Sequence, residues 1–185
     1  MAFWTDTSVE PKRNYRFRIS IGGTAEQFGS IWYAKKADKP KFTQDATTHE
    51  YLNHQFKFPG RIKWEDVTVE LVDPVTIDAA AITLGMIEAS GYRVPQGSKN
   101  AADAQTMSKK EAVGALSSVI IEQLDDKGNP IETWKLQNAW LVKAEFSALD
   151  YSTEEMSTIT LTLAYDWASC DAKSSGGFFG GGRTA

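Results

Sequence analysis

The chain has 185 residues, of which 42% are hydrophobic and 24% are charged, a composition typical of one globular domain with a hydrophobic core. Twenty basic and 24 acidic side chains give a net charge of −4, which argues against a general phosphate-binding surface and so against nucleic acid as an obvious ligand. The single cysteine, Cys170, excludes an intramolecular disulfide and a multi-cysteine metal site.

The N-terminal stretch MAFWTDTSVEPKRN has neither the basic start nor the apolar core of a signal peptide. No window approaches the roughly 18 continuous apolar residues that mark a transmembrane helix. We therefore expect a chain that is made and folded in the cytoplasm and has no stable membrane insertion.

Alternation of apolar and polar residues, the pattern of a half-buried strand, marks three segments. They are Tyr15–Ile21, Asp66–Leu71 and Thr158–Trp167. Between the second and third, Ser118–Leu124 and Ile131–Phe146 flank the turn sequence DDKGNP, which predicts a hairpin. The spacing of apolar residues in the second of these flanks predicts two strands that are broken near Asn138.

Helical spacing interrupts the strands in two places. After Asp73-Pro74 a helix is predicted that ends near Gly91 and covers an open edge or face of a sheet. Its apolar stripe consists of Ile77, Ala81, Leu84 and Ile87. A shorter helix is predicted from Ser108, which forms an S-x-x-E capping pattern with Glu111. Its apolar residues are Ala112, Ala115 and Leu116. The sequence therefore predicts a mainly β fold with one or two helices.

Composition separates the two ends from the middle of the chain. We expect an N-terminal arm (residues 1–14), a β domain (15–168) and a glycine-rich C-terminal tail (169–185). Aromatic residues outside any strand pattern would be exposed in a monomer, so they are candidates for arms that dock on a neighbouring subunit. These candidates are Phe3, Trp4, Phe178 and Phe179. A disordered tail is the alternative interpretation of the C-terminal end.

Catalytic signatures are missing from the sequence. The two histidines, His49 and His54, are expected around a strand turn, and their spacing is not a usual zinc pattern. Nucleophile-elbow and phosphate-loop motifs are also missing, and adjacent acidic residues would point to opposite faces of a strand. We therefore predict no catalytic residue, no metal, no cofactor and no enzymatic activity.

Two long runs of the sequence resemble one known family. They are Lys39–Pro74, which includes FPGRIKWEDVTVELVDP, and Ile131–Ala168, which ends in LDYS and ITLTLAYDWA. Both are similar to the tail tube protein of contractile-tailed bacteriophages of the myovirus type. The resemblance covers roughly Tyr15 to Ala168. Tube proteins of type VI secretion and of extracellular contractile injection systems are related to this family.

The resemblance implies a β-sandwich or barrel-like subunit flanked by a helix, six of which form a ring. Lumen strands of the six subunits would join into one hexameric β-barrel, and stacked rings would form the inner tail tube, the conduit for DNA ejection. The implied partners are further copies of the chain, the tail sheath, tape measure, baseplate and tail terminator proteins, and phage DNA in transit without sequence-specific binding. The implied location is the virion tail, assembled in the host cytoplasm.

Asp66 and Glu70 lie on the polar side of their predicted strand, and we expect them to face the lumen or a ring interface. Pro59-Gly60 is expected to form a turn that sets up this strand after a preceding hairpin.

Three other functions remain open from the sequence. One is the tube or tube-initiating subunit of a related contractile injection system. Another is a monomeric carbohydrate-binding β-sandwich, because six Trp offer stacking platforms for sugars. An enzyme would require a hydrolase activity that is abolished by changing His54.

Overall fold

A computed structural model describes residues 10–22, 33–75, 78–94, 106–172 and 176–178. These ranges contain eleven strands and two helices, so the predicted mainly β fold is confirmed. The strands are β1 Phe17–Ile21, β2 Ala34–Ala37, β3 Lys41–Tyr51, β4 His54–Glu65, β5 Val67–Val72, β6 Val119–Leu124, β7 Pro130–Gln137, β8 Trp140–Phe146, β9 Thr158–Ala164, β10 Trp167–Ala172 and β11 Gly176–Phe178. The helices are α1 Ala79–Ala89 and α2 Lys109–Leu116. No helix in these ranges is long and apolar enough to cross a bilayer.

The strands form a sandwich and a separate ribbon, all with antiparallel pairing. One sheet has the order β1-β6-β7-β10-β11, the second has the order β2-β5-β9-β8, and β3 pairs only with β4. The inward faces of the two larger sheets meet in one hydrophobic core. Its fully buried members include Ile19, Ile21, Val67, Val69, Leu71, Val119, Ile159, Leu161 and Leu163.

Strict alternation of burial confirms the strand predictions in the middle of the sheets. In β5, β6 and β9 every second residue is buried, as period-two side-chain geometry requires. β1 is shorter than predicted, because Tyr15 precedes the strand and is exposed. Trp167 does not continue β9 but begins β10 in the other sheet.

The break between β9 and β10 lies beside the break between β7 and β8, at one corner of the sandwich. β7 and β8 are separated at Asn138, as predicted, and Asn138 has a positive φ of 55°. The chain changes sheets there and changes back between β9 and β10. The backbone N–H of Asp166 donates to the carbonyl of Gln137 at 3.0 Å, and the side chain of Asn138 donates to the Asp166 carboxylate at 2.8 Å. The two crossings are therefore hydrogen-bonded to each other.

Both helices contact β8, the outer strand of the four-stranded sheet. This agrees with the prediction that a helix covers a sheet edge. Ser108 caps α2 by accepting a hydrogen bond from the N–H of Glu111, and the predicted apolar residues of α2 are buried.

The predicted apolar stripe of α1 is wrong. The helix begins at Ala79, capped by Asp78, and it buries Ala79, Thr83 and Met86, whereas Leu84 is exposed. The sequence AAAITLGMIEA is apolar on nearly every side, so periodicity alone could not select the buried face. The predicted stop is confirmed, since Gly91 follows the helix with a φ of 97°. Ile77 lies outside the described residues.

The largest departure from the prediction is the ribbon formed by β3 and β4. It turns at Leu52-Asn53, not at Pro59-Gly60, and Leu52 has a φ of 52°. Pro59 and Gly60 lie inside β4, so the predicted proline-glycine turn is wrong. Almost every side chain of the ribbon is exposed.

Candidate functional site

The ribbon carries a β-bulge where the expected turn fails to form. Gln44 pairs with Ile62 and Ala46 pairs with Pro59, so two steps along β3 correspond to three steps along β4. A Cβ atom on Gly60 would lie 2.6 Å from the backbone oxygen of Asp45, which only glycine avoids. Gly60 therefore serves the close approach of two strands at the bulge.

This bulge moves the apolar side chains of β4 from one face of the ribbon to the other. Directly paired residues of antiparallel strands lie on the same face. Below the bulge, Trp64 and Ile62 share a face with Phe42 and Gln44. Above it, the pairs Thr47 with Phe58, His49 with Phe56 and Tyr51 with His54 lie on the opposite face, because β3 itself keeps its alternation.

The lower apolar face packs on the subunit's own body. The rings of Phe42 and Trp64 have centroids 5.4 Å apart, and those of Trp64 and Tyr165 are 5.9 Å apart. Burial raises the pKa of Tyr165 to about 12, so its side chain is a neutral part of this packing. The ribbon is thus anchored at its base.

The upper apolar face has no such support from the described residues. Phe56 is 50% exposed and Phe58 is 55% exposed, and neither belongs to the hydrophobic core or to the partly buried side chains packed against it. We call this surface the tip face and define it as Thr47, His49, Tyr51, His54, Phe56 and Phe58. Exposed aromatic clusters of this kind are typical of binding surfaces.

A second exposed apolar surface lies in the segment of residues 147–157, which we call the acidic loop. Its base is closed by hydrogen bonds between Ser147 and Ser157 or Thr158, and its turn is held by Asp150, which accepts from the N–H of Ser152 at 2.8 Å. These Ser152 bonds lower the pKa of Asp150. Its exposed apolar residues are Leu149, Tyr151 and Met156, and its carboxylates are Asp150, Glu154 and Glu155.

The base of the ribbon is tied to the five-stranded sheet by a nearly buried carboxylate. Glu132 accepts hydrogen bonds from Lys12, from Lys39 at 2.7 Å and from the indole of Trp134 at 2.5 Å. Burial of Glu132 opposes its ionisation, but these donors outweigh burial and lower the pKa to about 2. Since Lys39 precedes β3, this network fixes where the ribbon leaves the body.

The predicted site residues lie in different places. Glu70 is in β5, on the outward face of the four-stranded sheet, and accepts a hydrogen bond from Lys35 at 2.9 Å. This bond raises the pKa of Lys35. Asp66 is exposed between β4 and β5, at the base of the ribbon. Neither residue is buried in the core.

Most of the aromatic candidates at the two ends of the chain lie outside the residues that the structure describes. Phe3, Trp4 and Phe179 lie outside the described residues. Phe178 is in β11, whose backbone pairs with β10, so the chain beyond residue 168 contributes strand pairing to the five-stranded sheet. Cys170 lies in β10 and is buried, and burial raises the pKa of its thiol.

Among the described residues, no three His, Cys, Asp or Glu side chains are grouped so that they could hold a metal ion. His49 and His54 flank the ribbon turn, as expected, and they belong to the tip face. Sequence reasoning missed the tip face because it placed a turn at Pro59-Gly60.

The fold is similar to that of chains in solved structures of contractile injection systems. A chain of the extended PVC sheath-tube complex, an extracellular contractile injection system, matches with a TM-score of 0.64 and 16% identity, covering 93% of this chain and 99% of that chain. A chain of the anti-feeding prophage baseplate matches with a TM-score of 0.64 and 15% identity, covering 89% and 97%. The fold is therefore one that contractile injection systems use.

The family follows from the sequence itself. The model of the T4-like virus tail tube protein gp19 matches residues 13–168, and the chain belongs to this family. It is a tail tube protein, a structural component of a contractile tail and not an enzyme. The predicted resemblance is confirmed. No curated protein sequence matches the chain.

Proposed function

We propose that the chain forms the stacked hexameric rings of the inner tail tube of a contractile-tailed bacteriophage and that this tube is the conduit for DNA ejection. The observation that carries the proposal is the match of the tail tube family to residues 13–168, nearly the whole described body.

Open sheet edges support ring formation. β1 and β2 end the two larger sheets on one side, and within the described residues neither has an outer partner strand. Such edges offer unpaired backbone groups to another chain, and closure of a barrel removes them. Pairing of edge strands between six subunits would satisfy these groups.

The outward face of the four-stranded sheet is the proposed lumen wall. Glu70 lies on this face beside the outward threonines of β9, which supports a polar, hydrated surface there. Asp66, at the ribbon end of the same sheet, is assigned to the ring interface. The net charge of −4 favours DNA transit, because a net-acidic subunit repels phosphates.

The remaining contacts are proposed for the ends of the chain. Phe3 and Trp4, and Phe178 and Phe179, are assigned to arms that dock on neighbouring subunits. Further partners are the sheath, tape measure, baseplate and tail terminator proteins, and the location is the virion tail after assembly in the host cytoplasm. A sheath–tube complex and a tube-terminating cap are among the structures with this fold, which supports two of these partners.

A tube subunit of a related injection system is the second candidate. The fold matches structures of two such systems, and the tail tube family is equally consistent with both settings. A carbohydrate-binding sandwich lacks comparable support.

Electron microscopy of the purified protein, together with its mass in solution, tests the proposal. We expect rings or hollow tubes, with a mass of six chains for an isolated ring. A protein that stays monomeric even after addition of its baseplate would contradict it. Encapsulated DNA in tubes from intact particles would separate the phage assignment from the injection-system assignment.

A further inference from the structure

A groove opens between the two sheet edges on one side of the sandwich. It lies between β1 and β2 and has a volume of about 640 Å³. Pockets that hold a ligand commonly measure about 300–1,000 Å³. The apolar part of its lining consists of Tyr15, Phe17, Ala37, Ile121 and Trp134. An apolar segment that covers this lining would be stabilised by the removal of apolar surface from water.

The groove also carries an excess of positive charge. Two of its three lysines, Lys35 and Lys39, form ion pairs with carboxylates of the sandwich. The third, Lys36, is exposed and has no ion-pair partner among the described residues. Glu122, which also lines the groove, is paired with Arg18 at 2.6 Å. The occupant that fits is therefore a segment with apolar and acidic side chains and without basic ones.

The described chain begins beside this groove. Lys12 donates a hydrogen bond to Glu132, whose other donors include the groove residue Trp134. The guanidinium of Arg16 donates to Glu10 at 2.9 Å, which holds the first described residue next to the start of β1. The nine residues that precede Glu10 lie outside the described residues, and they are therefore attached at the edge of the groove.

The sequence of these nine residues, MAFWTDTSV, matches the chemistry of the groove. It contains Phe3, Trp4 and Asp6, and it contains neither Lys nor Arg. Nine residues can extend over about 30 Å, so the chain is long enough to lie along the groove. A segment that is tethered at the site has an effective concentration on the order of millimolar, which favours it over a separate molecule of similar composition.

We propose that residues 1–9 dock in the groove between β1 and β2 of their own chain before assembly. Phe3 and Trp4 cover the apolar lining, and Asp6 pairs with Lys36. The docked segment shields the open edges of both sheets, so an unassembled chain does not offer them to other strands. One consequence rests on the proposed tube function: ring closure requires the segment to leave the groove, which frees Phe3 and Trp4 for a neighbouring subunit.

Disulfide trapping tests the docking. In a Cys170→Ser background, Thr5→Cys and Ala37→Cys are placed in one chain, and the dilute, unassembled protein is oxidised. Thr5→Cys leaves the proposed contact residues on either side of it intact. We expect an intramolecular disulfide, seen as a monomer band of altered mobility on a non-reducing denaturing gel.

The matched control pairs Thr5→Cys with Lys135→Cys. Lys135 is exposed in β7, and it faces outward from the five-stranded sheet because the next residue, Leu136, is buried. The disulfide to position 37 should form about tenfold or more faster than the disulfide to position 135, since only the first is favoured by docking. Equal rates in the two chains would overturn the docking.

Charge exchange tests the pairing of Asp6 with Lys36. In the chain with cysteines at positions 5 and 37, Lys36→Glu is expected to slow disulfide formation by about two- to fivefold, as for the loss of an exposed ion pair. Adding Asp6→Lys to that chain should restore the rate. A rate that stays low in the doubly exchanged chain would overturn this ion pair.

The same cross-linked chain separates the docking from the release. After oxidation, the chain with cysteines at positions 5 and 37 should form no tubes under conditions in which it forms them after reduction. Tubes from the oxidised chain would overturn the release and leave the docking and the tube function standing. A wild-type chain that forms neither rings nor tubes, even with its baseplate, would overturn the tube function and the release, whereas a trapped segment in the free chain would still support the docking.

Discussion

Removing the charge of Glu132 should lower stability in a pH-dependent way. Its pKa is lowered from 4.5 to about 2 by Lys12, Lys39 and Trp134, against the opposing effect of burial. At about 1.4 kcal/mol for each tenfold change in proton affinity, this corresponds to about 3 kcal/mol of folding stability at neutral pH. Because the folded pKa is the lower one, the stabilisation is complete above 4.5 and is lost as the pH falls towards 2.

Urea unfolding of the wild type and of Glu132→Gln measures this effect. We expect the variant to be less stable by about 3 kcal/mol at pH 7 and by roughly half of that at pH 3, where the wild-type carboxylate has lost part of its advantage. Glu145→Gln is the matched control, because Glu145 pairs with Lys143 on an exposed surface and should change stability little. An equal loss at both pH values would refute the electrostatic explanation and point to lost packing instead.

Three further predictions concern the ribbon, the core and a helix cap. Gly60→Ala should distort the bulge, because the new Cβ would lie 2.6 Å from the backbone of Asp45, and tubes should form poorly by electron microscopy while the melting temperature of the body stays unchanged. Leu161→Ala, at a position that is 0% exposed, should cost about 2–5 kcal/mol in urea unfolding, whereas Leu149→Ala, at 92% exposed, should cost little. Ser108→Ala should cost about 1 kcal/mol by removing the cap of α2, and an unchanged melting curve would contradict this role.

Much of the sandwich could be predicted from the sequence, because strand alternation and burial are linked by local geometry. In β9 the threonines face outward and Ile159, Leu161 and Leu163 face the core, as their alternation indicates. Capping chemistry likewise predicted the start of α2. These signals are local, and tertiary packing does not override the local preference of either β9 or the start of α2.

The ribbon could not be predicted in this way, because its residues have no core to face. Its period-two pattern is interrupted at Gly60, and a proline-glycine pair usually marks a turn and not a bulge within a strand. The sheet changes at Asn138 and Asp166 were also beyond local signals, since only the packing of two sheets decides where a strand crosses. The bulge is what places Phe56 and Phe58 on the tip face, so a prediction without the bulge could not include the tip face.

The order in which strands pair along the chain has a consequence for folding. β3 and β4 are adjacent in sequence and can form a hairpin in about 1–10 μs. β1, in contrast, must wait for β6, since Arg18 pairs with Glu122 at a sequence separation of 104 residues. Closing such long loops slows folding. During synthesis the β3–β4 ribbon, with its exposed Phe56 and Phe58, can therefore form before the sandwich is complete. We expect newly made chains to be most prone to aggregation in that interval.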